Sequence, residues 1–184
     1  MTIATPARTT ARMAALVHHV RAVVDRGLSP DHTAHLVGEA LAPHLGAPDL
    51  LTPAQREGDP ERYRQHLVHA EEDGAFSVVA LVWLPGQGTS IHDHVAWCAT
   101  GVHEGHESET RYRLVPGVEG RPARLARTEE LVNGPGQISG FAPPGDIHRV
   151  VNAGADTAYS LHVYGADVSR LGGSVRRVYR LPVG

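Results

Sequence analysis

Cysteine is almost absent from this sequence, since Cys98 is the only one in 184 residues. A single cysteine cannot form an intrachain disulfide, and chains without disulfides are typical of reducing compartments. Long apolar runs are also missing. The first twelve residues lack the apolar core of a signal peptide, and no segment approaches the ~20 apolar residues that span a bilayer. We therefore predict a cytoplasmic protein with no membrane partner.

Positive charge is scarce as well. Lysine and arginine total 17 against 20 acidic residues, which gives a formal net charge of −3. Nucleic-acid binding needs a footprint of basic side chains that neutralises phosphates, and the sequence contains no basic run. We therefore predict no nucleic-acid partner. A small anionic ligand is still possible, because one local arginine is enough to bind it.

The apolar pattern predicts one domain over residues 1–184, a length that a single domain commonly reaches. Residues 11–27 and a segment starting at Ser29-Pro30 have helical periodicity, and we assign residues 11–70 to a small N-terminal helical cap. Within it, residues 61–70 are either a short helix or an extended segment. Residues 75–182 are assigned to a β-barrel, because short apolar runs alternate with Pro/Gly turns. The strand candidates are 76–84, 97–103, 108–115, 124–132, 136–142, 147–152, 158–165 and 174–181.

Two histidines separated by one residue, His92 and His94, are the sharpest chemical feature. Residues i and i+2 of a strand point to the same face, so both imidazoles can converge on one ion. The surrounding pattern, Gly86-x5-His92-x-His94-x3-Cys98-x6-Gly105, resembles the first cupin motif. A partial second motif follows as Pro143-x-Gly145-x2-His148-x3-Asn152. The resemblance implies an all-β cupin, a double-stranded β-helix barrel of jelly-roll type, with His148 as the third ligand.

Cys98 occupies the place where the first cupin motif usually has a glutamate. The loss of that carboxylate leaves three neutral imidazoles and several open coordination positions. Such a site suits a redox metal that must bind a substrate and O2 together. Imidazole ligands suit iron, copper, nickel or zinc, so the ligand set does not name the metal.

Around these motifs the sequence resembles the thiol dioxygenase family, which includes cysteine dioxygenase and 3-mercaptopropionate dioxygenase. The similarity includes Phe76, Trp83, the segment 90–94, Gly105 and the segment Ser160-Leu161-His162-Val163-Tyr164. The resemblance implies one ferrous ion per chain, held by His92, His94 and His148, at which O2 converts a thiol to a sulfinate.

Ser160, His162 and Tyr164 alternate along one strand and so share a face. Buried polar groups are costly unless they satisfy one another. With the family resemblance, we predict a relay in which Ser160 orients His162, and His162 holds the Tyr164 hydroxyl near the metal. The resemblance also suggests a thioether bond between Cys98 and Tyr164, because some cysteine dioxygenases have such a crosslink. The alternative is that Cys98 is a small buried apolar side chain.

The substrate carboxylate needs a cationic partner, for which arginine is well suited. Gln65 stands where cysteine dioxygenases carry that arginine, a difference that resembles the 3-mercaptopropionate subgroup. Arg177 is the first candidate for the carboxylate, with Arg64 and Arg170 as alternatives. Trp97 is predicted either to line the substrate pocket or to pack in the barrel wall.

These observations favour a non-haem iron thiol dioxygenase that acts on 3-mercaptopropionate or a similar thiol carboxylate, with cysteine as the other candidate. Its partners would be the thiol and O2, in a monomer or homodimer. Two other classes stay open: a cupin metalloenzyme such as an isomerase, lyase or other sulfur oxygenase, and a non-enzymatic metal-binding or small-molecule-binding cupin. His103 and His106 are expected to face solvent.

Overall fold

A computed structural model describes residues 9–120 and 122–184 of the chain. Residues 1–8, part of the segment in which no signal peptide was expected, lie outside that range. The described residues contain three α-helices, ten strands and two short 3-10 helices, Ala42–His44 and Pro53–Arg56. The α-helices are α1 (Ala11–Val24), α2 (Pro30–Leu41) and α3 (Val168–Leu171). The strands are β1 (Arg64–Ala70), β2 (Ser77–Trp83), β3 (His92–His94), β4 (Cys98–Glu104), β5 (Glu107–Val115), β6 (Arg124–Asn133), β7 (Ile138–Phe141), β8 (Ile147–Val151), β9 (Ala158–Tyr164) and β10 (Val175–Val178).

The strands form two five-stranded sheets, with the orders β1-β2-β9-β4-β7 and β10-β3-β8-β5-β6. Every named strand pair is antiparallel. Side chains of the first sheet pack against Val150 of the second, so the sheets face each other across a shared core. This arrangement confirms the predicted all-β cupin barrel of jelly-roll type with a small helical N-terminus.

The two helices α1 and α2 cover the outer face of the first sheet. Met13, Leu16 and Val20 of α1 are fully buried in a cluster that includes Val78 and Leu161 of the sheet. Helix α1 begins where the Thr10 hydroxyl accepts a hydrogen bond from the Met13 N–H, a standard N-cap. No helix in the described part of the chain is long and apolar enough to cross a membrane.

Strand β2 is buried at every position, because the helices cover one of its faces and the barrel interior the other. This double burial explains its uninterrupted apolar sequence. Residues 64–70, which the prediction placed inside the helical cap, form strand β1 and pair with β2. The sequence pattern of residues 61–70 was compatible with either a short helix or an extended segment. The edge of β2 provides the hydrogen bonds that favour a strand.

Candidate metal centre and substrate pocket

His92, His94 and His148 converge in the barrel interior. His92 and His94 lie on β3, and His148 on β8 is the cross-strand partner of His92. All three are at least 95% buried, and their candidate ligand atoms lie within 4.8 Å of one another. The structure therefore brings together the three histidines that the sequence singled out.

The turn before β3 is held tightly against β8. A Cβ atom on Gly88 would lie 2.6 Å from the carbonyl oxygen of Val150, so only glycine fits without a backbone shift. The Thr89 N–H donates to that same carbonyl at 2.9 Å. The Gly86 N–H donates to the carbonyl of Asn152, which connects the first cupin motif to the second.

Each of the three histidines has an acceptor at its Nδ1 atom. Nδ1 of His92 lies 2.9 Å from the carbonyl oxygen of Ser90. Nδ1 of His94 lies 3.0 Å from Asp146 Oδ2, and Nδ1 of His148 lies 2.8 Å from Glu109 Oε1. Since these acceptors carry no proton when the carboxyls are ionised, Nδ1 of each ring is the donor and Nε2 has a free lone pair.

The charges around the cluster suit a divalent cation. Burial raises the pKa of Glu109, but the hydrogen bond from His148 and the nearby Arg111 lower it to about 2. Burial likewise raises the pKa of Asp146, and hydrogen bonds from His94 outweigh it, so that the pKa is lowered. Both carboxyls are thus ionised at neutral pH and supply two negative charges beside the histidines.

The imidazoles are suited to metal binding in the same way. Burial, followed by the neighbouring His148 and His94, lowers the pKa of His92 to about 3, so its ring is neutral. Nε2 of His92 lies 3.2 Å from Nε2 of His94, and with both protons on Nδ1 this contact sets two lone pairs against each other. A shared cation would turn that repulsion into coordination. The donor set fits a bound metal ion.

Ser160, His162 and Tyr164 form a hydrogen-bonded chain along β9. Ser160 Oγ lies 3.2 Å from His162 Nε2, and His162 Nδ1 lies 3.2 Å from the Tyr164 hydroxyl oxygen. Burial lowers the pKa of His162 to about 3 and raises the pKa of Tyr164 well above its usual value. His162 is therefore neutral, and Tyr164 keeps its proton.

A pocket of about 310 Å³, open mouth included, adjoins the three histidines. His162 and Tyr164 line it together with Tyr63, Gln65 and Trp83. The Tyr63 and Trp83 rings are stacked with centroids 4.5 Å apart. Among the described residues, no lysine or arginine lines this pocket. Its walls thus offer neutral hydrogen-bonding groups beside the metal centre.

The candidate arginines lie elsewhere. Arg64 precedes Gln65 on β1, so its side chain points to the other face, and it lies 3.5 Å from Glu57. Arg177 is exposed and packs over the Tyr179 ring. A bulge between Val175 and Arg177 breaks the alternation of β10, so Arg177 does not follow Val175 into the pocket wall. Arg170 pairs with Asp167 on the surface.

Trp97 is half-buried and packs against the apolar cluster between the helices and the first sheet. This is the second of its two predicted positions, packing in the barrel wall. It lies over Gly165, where a Cβ atom would fall 2.1 Å from the indole nitrogen. Cys98 is fully buried, and burial raises its pKa well above the usual value. It is the direct cross-strand partner of Tyr164, so the two residues of the predicted crosslink are neighbours.

The expectation for His103 was wrong. Its side chain is fully buried and accepts a hydrogen bond from the Gly46 N–H at Nδ1, at 3.0 Å. The chain just after the short 3-10 helix Ala42–His44 passes over β4 at this point, and local sequence gives no sign of that contact. His106 is exposed, as expected.

Sequence reasoning missed the carboxyls that orient the histidines, Glu109 and Asp146. Asp146 stands two residues before His148, and Glu109 is one of several polar residues that alternate along β5. Both patterns place a carboxyl on an inward face, which is the signal that could have identified them.

Comparisons with known proteins agree with this geometry. The cysteine dioxygenase type I family model matches residues 55–171. Human and bovine cysteine dioxygenase type 1 are 31% and 30% identical to the chain over 108 residues, which are 58% of this chain and 52% of theirs. The chain thus spans about half the length of the curated relatives it matches.

Solved structures with a similar fold include TT1209 from Thermus thermophilus, at 24% identity and a TM-score of 0.45 over 63% of this chain and 96% of that one. A cupin superfamily protein from Desulfitobacterium hafniense has 12% identity and a TM-score of 0.47 over 67% and 95%. The cysteine dioxygenase type I family model covers more than half of the present chain, and the chain therefore belongs to the cysteine dioxygenase type I family.

Proposed function

We propose that this protein is a non-haem iron thiol dioxygenase that converts a small thiol carboxylate and O2 to a sulfinate. The observation that carries the proposal is the combination of three inward-facing Nε2 lone pairs with the Ser160–His162–Tyr164 chain in one pocket. An isomerase or lyase could use the three histidines but has no specific need for that chain. Family membership supports the same chemistry.

The reaction joins both oxygen atoms of O2 to the thiol sulfur. The sulfur loses four electrons, O2 gains four, and the thiol proton is released as the sulfinic acid ionises. Iron held by His92, His94 and His148 would supply the redox chemistry for this step. The ionised carboxyls of Glu109 and Asp146 hold His148 and His94 with Nε2 toward the ion.

Tyr164 would act as a hydrogen-bond donor in the pocket. Burial keeps its hydroxyl protonated, so it can donate to a substrate or oxygen atom beside the metal. His162 positions that hydroxyl through its Nδ1 atom. Trp83 and Tyr63 form an apolar wall that excludes water, and exclusion of water strengthens each polar contact inside the pocket.

For the substrate, we propose 3-mercaptopropionate first and cysteine second. Gln65 lines the pocket and offers an amide N–H to a carboxylate. Ser174 and Val175 also line it, so Arg177 lies two residues from the wall and would bind the carboxylate only after a side-chain or backbone movement. Arg64 would have to leave Glu57 to do so.

The discriminating experiment is O2 uptake by the Fe(II)-loaded protein with 3-mercaptopropionate, cysteine and cysteamine in turn. We expect uptake with the first two, faster with 3-mercaptopropionate, and a sulfinate product by mass spectrometry. Cysteamine has no carboxylate and serves as the matched control. The absence of thiol-dependent uptake with all three compounds would refute the proposed activity.

We also propose the thioether between Cys98 and Tyr164. The bond would join Sγ to a ring carbon, and the two protons and two electrons lost with the S–H and C–H bonds would pass to O2, which becomes hydrogen peroxide. Intact mass should then be lower by two hydrogen atoms, and Cys98→Ser should abolish the shift. An unshifted mass in active, iron-loaded protein would exclude the crosslink.

A further inference from the structure

Glu107, at the start of β5, is a buried carboxyl that the proposed reaction does not use. The residue is only 5% exposed, and its Oε1 atom has no hydrogen-bond partner among the described residues. A buried carboxyl without full hydrogen bonding is costly to the fold. The side chains that Glu107 contacts should therefore explain why its carboxyl is buried.

The polar side chains next to the Glu107 carboxyl are Ser160 on β9 and Trp83 on β2, and both lower its pKa. Trp83 also donates its indole N–H to Ser160 Oγ at 3.0 Å. Ser160 is the first member of the chain that continues through His162 to Tyr164. Glu107 therefore lies at the end of that chain farthest from the pocket.

Counting protons leaves two arrangements for this chain. A serine hydroxyl donates one hydrogen bond and accepts two, and Trp83 already uses one acceptor site of Ser160. His162 is neutral, so only one of its ring nitrogens carries a proton. The protonation of Glu107 decides between the two arrangements.

When Glu107 is neutral, its O–H donates to Ser160 and fills the second acceptor site. The Ser160 O–H then donates to Nε2 of His162, so the His162 proton lies on Nδ1 and is donated to the Tyr164 oxygen. The Tyr164 O–H is left free to donate into the pocket.

When Glu107 is ionised, each hydrogen bond reverses. The Ser160 O–H donates to the carboxylate, and Ser160 accepts instead from an N–H on Nε2 of His162. Nδ1 of His162 is then an acceptor, and it takes the hydrogen bond of the Tyr164 O–H. The Tyr164 hydroxyl is turned away from the pocket.

We propose that Glu107 is a positioning residue that sets the tautomer of His162 and, through it, the direction in which the Tyr164 hydroxyl donates. The consequence for catalysis rests on the proposed function of Tyr164, whereas the tautomer itself does not.

The surroundings of Glu107 put its ionisation in the neutral range. Burial, helped by the charge of Glu109 on the same strand, raises its pKa to about 7, although Ser160 and Trp83 act to lower it. On β6 its cross-strand partner is the uncharged Asn133, and on β9 the nearby His162 is neutral. The chain should therefore reverse as the pH rises through about 7.

The test is the tautomer of His162 in metal-free protein labelled with ¹⁵N-histidine, read from the ring nitrogen shifts by NMR. Its signals are assigned as those missing in His162→Gln. In the unmodified protein we expect the Nδ1–H tautomer at about pH 5.5 and the Nε2–H tautomer at about pH 8.5, on either side of the Glu107 titration. The same tautomer at both pH values would overturn the proposal.

Two substitutions at Glu107 separate this effect from general titration. Glu107→Leu removes the competing acceptor, so Ser160 can donate only to His162 and the Nδ1–H tautomer should persist at both pH values. Glu107→Gln does not titrate, so its tautomer should be independent of pH, and it also carries the test if Glu107→Leu does not fold. A wild-type tautomer change in either variant would contradict the proposal.

The Ser160→Ala background serves as the control, because it removes the connection between Glu107 and His162. Adding Glu107→Leu to that background should leave the His162 tautomer unchanged. A further change in the double variant would show that Glu107 acts by another route and would overturn the proposal.

In the iron-loaded enzyme, kcat should fall about tenfold per pH unit above about pH 7 and should stay level in Glu107→Leu. If the tautomer switches but no thiol is oxidised, the proposed function fails and this inference stands. If thiols are oxidised but the tautomer does not switch, the inference on Glu107 fails and the proposed function stands.

Discussion

Two of the three clustered histidines are oriented by carboxyls, Glu109 on β5 for His148 and Asp146 just before β8 for His94. Glu109 accepts from Nδ1 of His148 and is itself held by Arg111, with Nη2 3.2 Å from Glu109 Oε2. The negative charge of Glu109 makes His148 a better ligand, since a carboxylate behind an imidazole raises its basicity.

We therefore expect Glu109→Gln to weaken metal affinity by about 10- to 100-fold, because the ligand loses its charged partner. Equilibrium competition with a chelator measures this. Glu129→Gln is the matched control, because Glu129 contacts the same Arg111 from the exposed side. Equal losses in the two variants would show that the effect passes through Arg111 rather than through His148.

Glu107 should also make stability depend on pH. Its pKa rises from 4.5 to about 7 on folding, so the folded state binds its proton more tightly. The stability this provides is fully present below the unfolded pKa and is lost as the pH rises through about 7. The loss is about 3 kcal/mol at 1.36 kcal/mol per pKa unit.

Urea unfolding at about pH 5 and about pH 8 should show most of that loss in the wild type and a smaller one in Glu107→Gln, because the amide does not titrate. A parallel pH dependence in the two proteins would contradict the assignment of the buried titration to Glu107.

At this scale the sequence identified the three histidines because strand alternation and motif spacing are local. Asp146 and Glu109 act on histidines 52 and 39 residues away along the chain, and that pairing depends on which strands become neighbours. The position of Arg177 was unpredictable for a similar reason, because a bulge in β10 changes which side chains face the pocket.

At the scale of elements, helix α2 approaches strand β7 so closely that the contact excludes a side chain. A Cβ atom on Gly140 would lie 2.7 Å from the backbone carbonyl carbon and oxygen of Ala34. Since backbone atoms cannot swing aside, a larger residue there would push the helix from the sheet.

Gly140→Ala should therefore destabilise the protein by about 1–3 kcal/mol through overpacking. Gly38→Ala tests the same interface from the helix side, where a Cβ atom would meet Ile138 at an ordinary 3.5 Å. Alanine is the better helix former, so this change should stabilise by up to about 1 kcal/mol. Urea unfolding measures both, and a loss in both variants would refute the steric explanation.

Most elements were predictable because their patterns are strong. The apolar run of β2 and the periodicity of α1 indicated their type, with ends shifted by only a few residues. β1 was ambiguous, since Gln65, His66 and His69 interrupt its apolar pattern. Its strand conformation follows from pairing with β2, a tertiary contact that outweighs local preference.

At the scale of the whole molecule, the metal centre joins β3 to β8 and should stabilise the fold when it is filled. A ligand that binds only the folded state adds about 2.7 kcal/mol when present at 100 times its dissociation constant. We expect Fe(II) to raise the Tm of the wild type.

His148→Ala should abolish metal binding and with it this rise in Tm. His106→Ala is the control, because His106 is exposed and does not belong to the cluster of His92, His94 and His148. Full iron occupancy in His148→Ala, measured by metal analysis, would refute the ligand assignment.

The central claim, that both atoms of O2 join one thiol sulfur, is tested most directly with isotopically labelled oxygen. Fe(II)-loaded protein would be supplied with 3-mercaptopropionate under ¹⁸O2, and the product analysed by mass spectrometry. The account predicts a sulfinate that carries two heavy oxygen atoms. A disulfide, or a product with one heavy oxygen atom or none, would contradict it.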